Sequence, residues 1–185
     1  MTQEPVNIHR PAIEECIRGN PAAQFTLYNL YSKAMYNLAF RMVNNREDAE
    51  DILQESFTDA FRKLKSFRFE STFGAWLKTI VINRSINHLK KRKAEIVTDT
   101  LPENTDGEEN NEEDLALDAK KVFNAIEKLP DGYRVVLTLY LLEGYDHTEI
   151  AEILDISEST SKTQYMRAKN RLKELLKGEE LTWTN

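Results

Sequence analysis

The chain has 185 residues, 41% of them apolar, and a formal net charge of −6, enough for one globular domain or two small ones. No apolar run approaches a membrane span, residues 1–10 lack the basic flank and apolar core of a signal peptide, and the single cysteine, Cys16, excludes an internal disulfide, so a cytoplasmic protein is expected. His9, His88 and His147 have no ligand-spaced companions, and no Gly-rich phosphate loop or nucleophile motif occurs. No metal, no cofactor and no catalytic site are therefore expected, and the chain is not read as an enzyme.

The first predicted helix, near residues 8–18, carries Ile13, Cys16 and Ile17 in an apolar pattern and ends at Gly19. Asn20 then caps a second helix with Pro21 in its first position. Tyr28, Tyr31, Met35, Leu38 and Met42 form the buried stripe of that helix, which stops at Asn44-Asn45. A third helix over residues 46–64 buries Ala49, Ile52, Leu53, Phe57, Ala60, Phe61 and Leu64. Its opposite face repeats Asp48, Asp51, Glu55 and Asp59 beside Gln54, an acidic ridge that taken alone reads equally well as solvated surface.

The segment Ser66-Phe67-Arg68-Phe69-Glu70-Ser71-Thr72-Phe73 follows. Its aromatics, with Trp76, either close the core or, lying beside cations, offer the surface on which single-stranded bases stack. A helix over residues 74–93 then aligns Thr79, Asn83 and Asn87, a stripe extended by Lys90-Lys91-Arg92-Lys93. Such a face suits a phosphate backbone.

Dividing the charge by position resolves the conflict between an acidic chain and a nucleic-acid partner. Residues 1–94 hold 15 Lys and Arg against 10 Asp and Glu, residues 95–114 hold nine acids and no Lys or Arg, and residues 115–185 hold 10 bases against 12 acids. An acidic connector thus masks a basic first half. Residues 95–114, poor in apolar side chains and containing Pro102 and Gly107, are expected to form a flexible linker whose ends lie about 25 Å apart as a coil.

Beyond it, helices are predicted over residues 115–129 and 133–143, broken at Pro130-Asp131-Gly132 and at Gly144. Residues 148–167 read as a helix-turn-helix. Ile150, Ile153 and Leu154 give the first helix an apolar face, Asp155 sits at the turn, and Ser157 caps the second helix. Ser161, Tyr165, Ala168 and Leu172 recur on its inward row, while Ser159, Lys162, Thr163, Met166, Arg167 and Asn170 face the other way, where donors and cations can meet base edges and phosphates. Lys177-Gly178 is expected to end this helix, leaving residues 179–185 as a tail. No strand alternation occurs, so the expected fold is all-α, two small helical domains at residues 1–94 and 115–178 joined by a flexible acidic linker.

Taken together, Asp48-Ala49-Glu50-Asp51-Ile52-Leu53-Gln54-Glu55-Ser56-Phe57, then Phe67-Arg68-Phe69-Glu70-Ser71-Thr72-Phe73-Gly74-Ala75-Trp76-Leu77, then Asn83 with His88-Leu89-Lys90-Lys91, resemble bacterial extracytoplasmic-function (ECF) RNA polymerase sigma factors. Leu129-Pro130, Tyr145 and Arg167-Ala168-Lys169-Asn170-Arg171-Leu172 continue the resemblance, which spans residues 7–176. It implies a dissociable subunit that gives RNA polymerase core its promoter choice. Asp48, Asp51, Gln54 and Glu55 would dock on the clamp helices of the largest polymerase subunit. Phe73, Thr79, Asn83, Asn87, Lys90 and Lys91 would bind the minus-ten element and hold an extruded base, and Ser159, Thr160, Lys162, Thr163, Met166 and Arg167 would read the minus-thirty-five element as duplex. An anti-sigma factor is a further implied partner. The sequence departs from the usual pattern at Asp155, where Gly is common, at Ser161, usually apolar, and at Gln164, often Arg. A stand-alone helix-turn-helix regulator would explain residues 115–176 but not the first half, and an adaptor working only through protein contacts would show no DNA affinity.

Overall fold

The structure, a computed structural model, describes residues 7–96 and 115–180. Every regular element among these residues is helical: α1 (Arg10–Ile17), α2 (Pro21–Val43), α3 (Arg46–Lys63), α4 (Phe73–Ile96), α5 (Leu115–Glu127), α6 (Asp131–Leu137), α7 (His147–Leu154) and α8 (Glu158–Glu180). Contacts divide the chain into two units, Met1–Leu89 and Lys90–Asn185, with the division falling inside α4. The linker expectation concerns residues 95–114; α4 runs on to Ile96, and residues 97–114 lie outside the described residues.

In the first unit local chemistry sets the helix ends. Asn20 accepts from the Ala22 N–H at 3.0 Å and Pro21 opens α2. Asn44 closes α2 in the left-handed region at φ 53°, and Asn45 caps α3 by accepting from the Asp48 N–H at 3.0 Å. Asn tolerates that conformation better than most residues. Leu27, Leu38, Met42, Ile52, Phe57, Leu64, Leu77 and Ile82 fill the core, and Tyr28 packs on Phe57 with ring centres 4.8 Å apart.

A 3₁₀ turn, Leu64–Ser66, leads into the segment before α4. That segment is held from the amino-terminal side: Asn7 donates to the Ser71 carbonyl at 3.0 Å and accepts from the Phe73 N–H at 2.8 Å, while Arg10 lies over the Phe69 ring, 4.7 Å from its centre. Phe69 itself adopts a positive φ of 60°, a conformation uncommon for a bulky side chain. Gly74 lets α4 start hard against Tyr31, since a Cβ there would sit 3.0 Å from the Tyr31 ring.

In the second unit Ile126, Leu129, Leu137 and Ala168 form a core against which Tyr133, Tyr165, Leu172 and Leu175 pack. Arg134 is buried, yet its guanidinium donates to the Leu129 carbonyl at 2.8 Å and to Asp131 at 2.5 Å, tying α6 to the end of α5. The helix expected over residues 133–143 starts earlier and changes form. At Thr138–Leu142 it widens into a π-helical turn, with the Glu143 N–H donating to the Thr138 carbonyl at 3.1 Å. The final helix also departs from expectation, because α8 continues through Gly178 to Glu180; one glycine in a helix interior costs only about 1 kcal/mol.

Candidate functional site

The residues singled out in the sequence fall on three faces. The first lies on α3, where Asp51, Gln54 and Glu55 are exposed and Asp48 is half-buried. Asp59, predicted as part of the same ridge, is instead buried. Its carboxylate accepts from Arg84 Nε on α4 at 3.0 Å and from Arg84 Nη2, and from Arg62 at 2.5 Å. The hydrogen bond from Arg84 holds its carboxyl below the usual carboxylate range, against the opposing effect of burial. Arg84 Nη1 reaches on to the Glu55 carboxylate, and His88 Nε2, one turn along α4, lies 3.0 Å from Asp48 Oδ2. That last approach is close in distance but off the line of a hydrogen bond.

The second face lies on α4. Thr79, Asn83, Asn87, Lys90 and Lys91 are all exposed, at the spacing that places them along one side of a helix. Phe73, expected among them, belongs elsewhere. It is 1% exposed, with Tyr31, Phe67 and Trp76 rings centred 5.1, 6.1 and 5.8 Å away. A ring enclosed on all sides has no face left for a base, so Phe73 is a core residue that starts α4.

The third face is the helix-turn-helix. Asp146 caps α7 through the Thr148 and Glu149 N–H groups, each at 2.8 Å, and Glu149 returns the bond to the Asp146 N–H at 2.8 Å. This reciprocal box, Asp146-x-x-Glu149, is a sequence signature the helix prediction passed over. Asp155 makes the turn in the left-handed region at φ 57°, and Ser157 caps α8 by accepting from the Thr160 N–H at 3.1 Å. Ser159, Thr160, Lys162, Met166 and Arg167 are exposed and Thr163 is half-buried. Several already have partners within the helix: the Ser159 and Thr160 hydroxyls meet Ser157 Oγ at 2.9 and 2.8 Å, Thr163 donates to the Ser159 carbonyl at 2.8 Å, and Lys162 pairs with Glu158 at 2.6 Å. Each is a surface contact that costs little to exchange.

With these faces in place, comparison with known proteins is decisive. Residues 27–95 match the family described as Sigma-70 region 2 and residues 119–172 match Sigma-70, region 4. The ECF RNA polymerase sigma factor SigW of Bacillus subtilis is 30% identical over 177 residues, covering 89% of this chain and 95% of its own. The chain belongs to the ECF RNA polymerase sigma factors. Its function is that of an RNA polymerase sigma factor directing promoter recognition. The ECF sigma-E factor of Escherichia coli is 31% identical over 172 residues, covering 86% of this chain and 90% of its own. Among solved structures, the sigma factor RpoE of Bartonella quintana, in complex with the anti-sigma factor NepR, is 27% identical with a TM-score of 0.63, covering 82% of this chain and 95% of that one.

For this sigma factor, sequence reasoning missed the contacts that Arg84 and His88 make with α3. Their partners are 25 to 40 positions away on α3, and helical periodicity reports the face of one helix, not its neighbour. It also missed the apolar strip Tyr140, Leu141 and Leu142, exposed by 36, 53 and 41% at the π-helical turn; the unbroken apolar run gave no sign of which side would stay uncovered. Among the described residues, no helix is long and apolar enough to cross a membrane, and no cluster of three or more His, Cys, Asp and Glu side chains forms a metal site.

Proposed function

We propose that residues 1–94 and residues 115–178 divide promoter recognition between them. Asp48, Asp51, Gln54 and Glu55 on α3 dock on a basic surface of polymerase core, the clamp helices of its largest subunit. Thr79, Asn83, Asn87, Lys90 and Lys91 on α4 bind the minus-ten element as a separated strand. Ser159, Thr160, Lys162, Thr163, Met166 and Arg167 on α8 read the minus-thirty-five duplex. The protein works by binding, in the cytoplasm alongside polymerase, and without catalysis of its own. An anti-sigma factor is a fitting regulator, by analogy with RpoE bound to NepR.

The observation that carries this reading is the pairing of an exposed acidic face on α3 with an exposed polar and basic stripe on α4, the two helices joined through Arg84. A stand-alone operator-binding regulator has no use for the first face. The test is promoter-directed transcription: core polymerase with this chain should give a discrete start site that core alone does not. Transcription no different from core alone, from promoters selected out of a random pool, would refute it.

A further inference from the structure

We propose that Arg84 is a promoter-binding cation kept in reserve by Glu55, so that docking of polymerase on α3 releases it to the DNA. The inference rests on the reading of α3 as the polymerase face. It adds a physical link between that face and α4.

The geometry of one guanidinium carries the argument. Nε and Nη2 of Arg84 are committed to Asp59, which is buried and also held by Arg62. Nη1 is committed to Glu55, whose side chain is 61% exposed. The Asp59 side is therefore a fixed anchor and the Glu55 side a surface pair, the kind worth least and exchanged most readily. A basic partner that takes the Glu55 carboxylate leaves Arg84 in place with one donor edge uncovered. Arg84 directly follows Asn83 on α4 but is turned toward α3, so to reach a strand bound along the stripe its freed Nη1 must swing away from the position Glu55 holds. One turn further along, His88 Nε2 lies 3.0 Å from Asp48 Oδ2, without a buried carboxylate to anchor it.

Charge bookkeeping explains why the exchange favours order of assembly. In the free protein Glu55 cancels the outward charge of Arg84 and repels phosphate. Once polymerase neutralises Glu55, both effects reverse, and by linkage DNA on α4 must strengthen polymerase binding on α3 by the same factor.

The experiment uses the full chain and a fluorescent oligodeoxythymidine single strand, with affinity followed by anisotropy across salt. Glu55→Gln should bind more tightly than wild type and show a salt slope steeper by about 0.7, the signature of one more phosphate contact on a single strand. Arg84→Gln should abolish that gain when combined with Glu55→Gln. Glu50→Gln, which removes an exposed acid elsewhere on α3, controls for net charge. Should Arg84→Gln fail to fold, Arg84→Lys keeps a charge for Asp59 without a second nitrogen for Glu55, and it too must cancel the gain. A gain that survives loss of Arg84, equals that of Glu50→Gln, or never occurs overturns the proposal. Core affinity of Asp51→Lys, measured separately, tests the docking face itself: normal core binding by that variant sinks the polymerase assignment while the DNA measurements on the free chain still decide whether Glu55 restrains Arg84.

Discussion

His147 Nδ1 lies 3.0 Å from Ser161 Oγ, joining the first turn of α7 to the inward face of α8. Ser161 is fully buried at a position where the amphipathic row wants an apolar side chain, and the His147 ring stacks on Tyr140 at 4.6 Å with its edge toward Tyr165 at 5.6 Å. The hydrogen bond offsets the desolvation of the serine hydroxyl, and the ring stack fixes which nitrogen meets it. The pair therefore sets how the recognition helix is rotated on its support.

Replacing His147 with Phe keeps the stack but strands the buried hydroxyl, so stability should fall by about 1–3 kcal/mol. Ser161→Ala in that background should recover most of the loss, since two apolar groups then face each other. Urea unfolding of the full chain, followed by helicity, measures both. Equal midpoints for wild type and His147→Phe would mean that the serine finds its partner elsewhere.

Asp59 gives a pH dependence with a definite sign. Its carboxyl is held below the usual range chiefly by the Arg84 hydrogen bond, so the folded state prefers the ionised form more than the unfolded chain does. That contribution is present in full above the ordinary Asp value of about 3.9 and is lost as pH falls through the lower folded value. The stability gap between wild type and Asp59→Asn should stay constant from neutral pH to about 5 and then close on further acidification. A gap independent of pH down to 2 would show that Asp59 titrates as it does in the unfolded chain.

These contacts mark the boundary of what the sequence could disclose. Asn20, Asn44, Asn45, Asp155 and Ser157 act on backbone groups within a few positions of themselves, so residue type and neighbours were enough to place them. The acidic face of α3 was legible for the same reason, but the burial of Asp59 was not, because it depends on Arg84 arriving from another helix 25 positions later. Phe73 failed differently. An aromatic next to cations has the same sequence signature whether it stacks on a base or closes a core, and only the enclosure by Tyr31, Phe67 and Trp76 separates the two. The π-helical turn at Thr138–Leu142 ends its helix just before Gly144, at φ 80°; the glycine marks the stop, while nothing in the residue pattern marks the change of helical form.

Burial also redistributes the residues that can test strand separation. Phe73→Ala should cost about 3–5 kcal/mol, as large aromatic deletions from a packed core do, and its transcription defect should follow its unfolding. Asn83→Ala and Asn87→Ala remove exposed amides from α4 and should leave the thermal midpoint within a degree or two of wild type. With core polymerase they should bind closed promoter normally and open it poorly, and a pre-melted promoter should restore part of the rate. A fluorescent base analogue in the minus-ten element reports the opening. Wild-type opening by both Asn variants would place the strand on another surface.

On α8, the proposed upstream-reading face, base reading and phosphate binding should fall to different residues. Arg167 is exposed near the middle of the outward face of α8, and if it forks onto a guanine edge, Arg167→Ala should cost about 1–3 kcal/mol at one base-pair position and flatten the preference there. Lys162 stands closer to the helix start and pairs with Glu158 at 2.6 Å, which is the behaviour of a surface cation that trades partners rather than of a fixed reader. Lys162→Ala should therefore weaken all upstream sequences alike and reduce the salt slope by about 1. Glu158→Gln should do the reverse, strengthening binding across sequences, because it removes the acid that competes with phosphate for Lys162. Selection of upstream elements from a randomised pool, repeated at two salt concentrations, distinguishes the roles. A shifted consensus for Lys162→Ala together with an unshifted one for Arg167→Ala would reverse the two assignments.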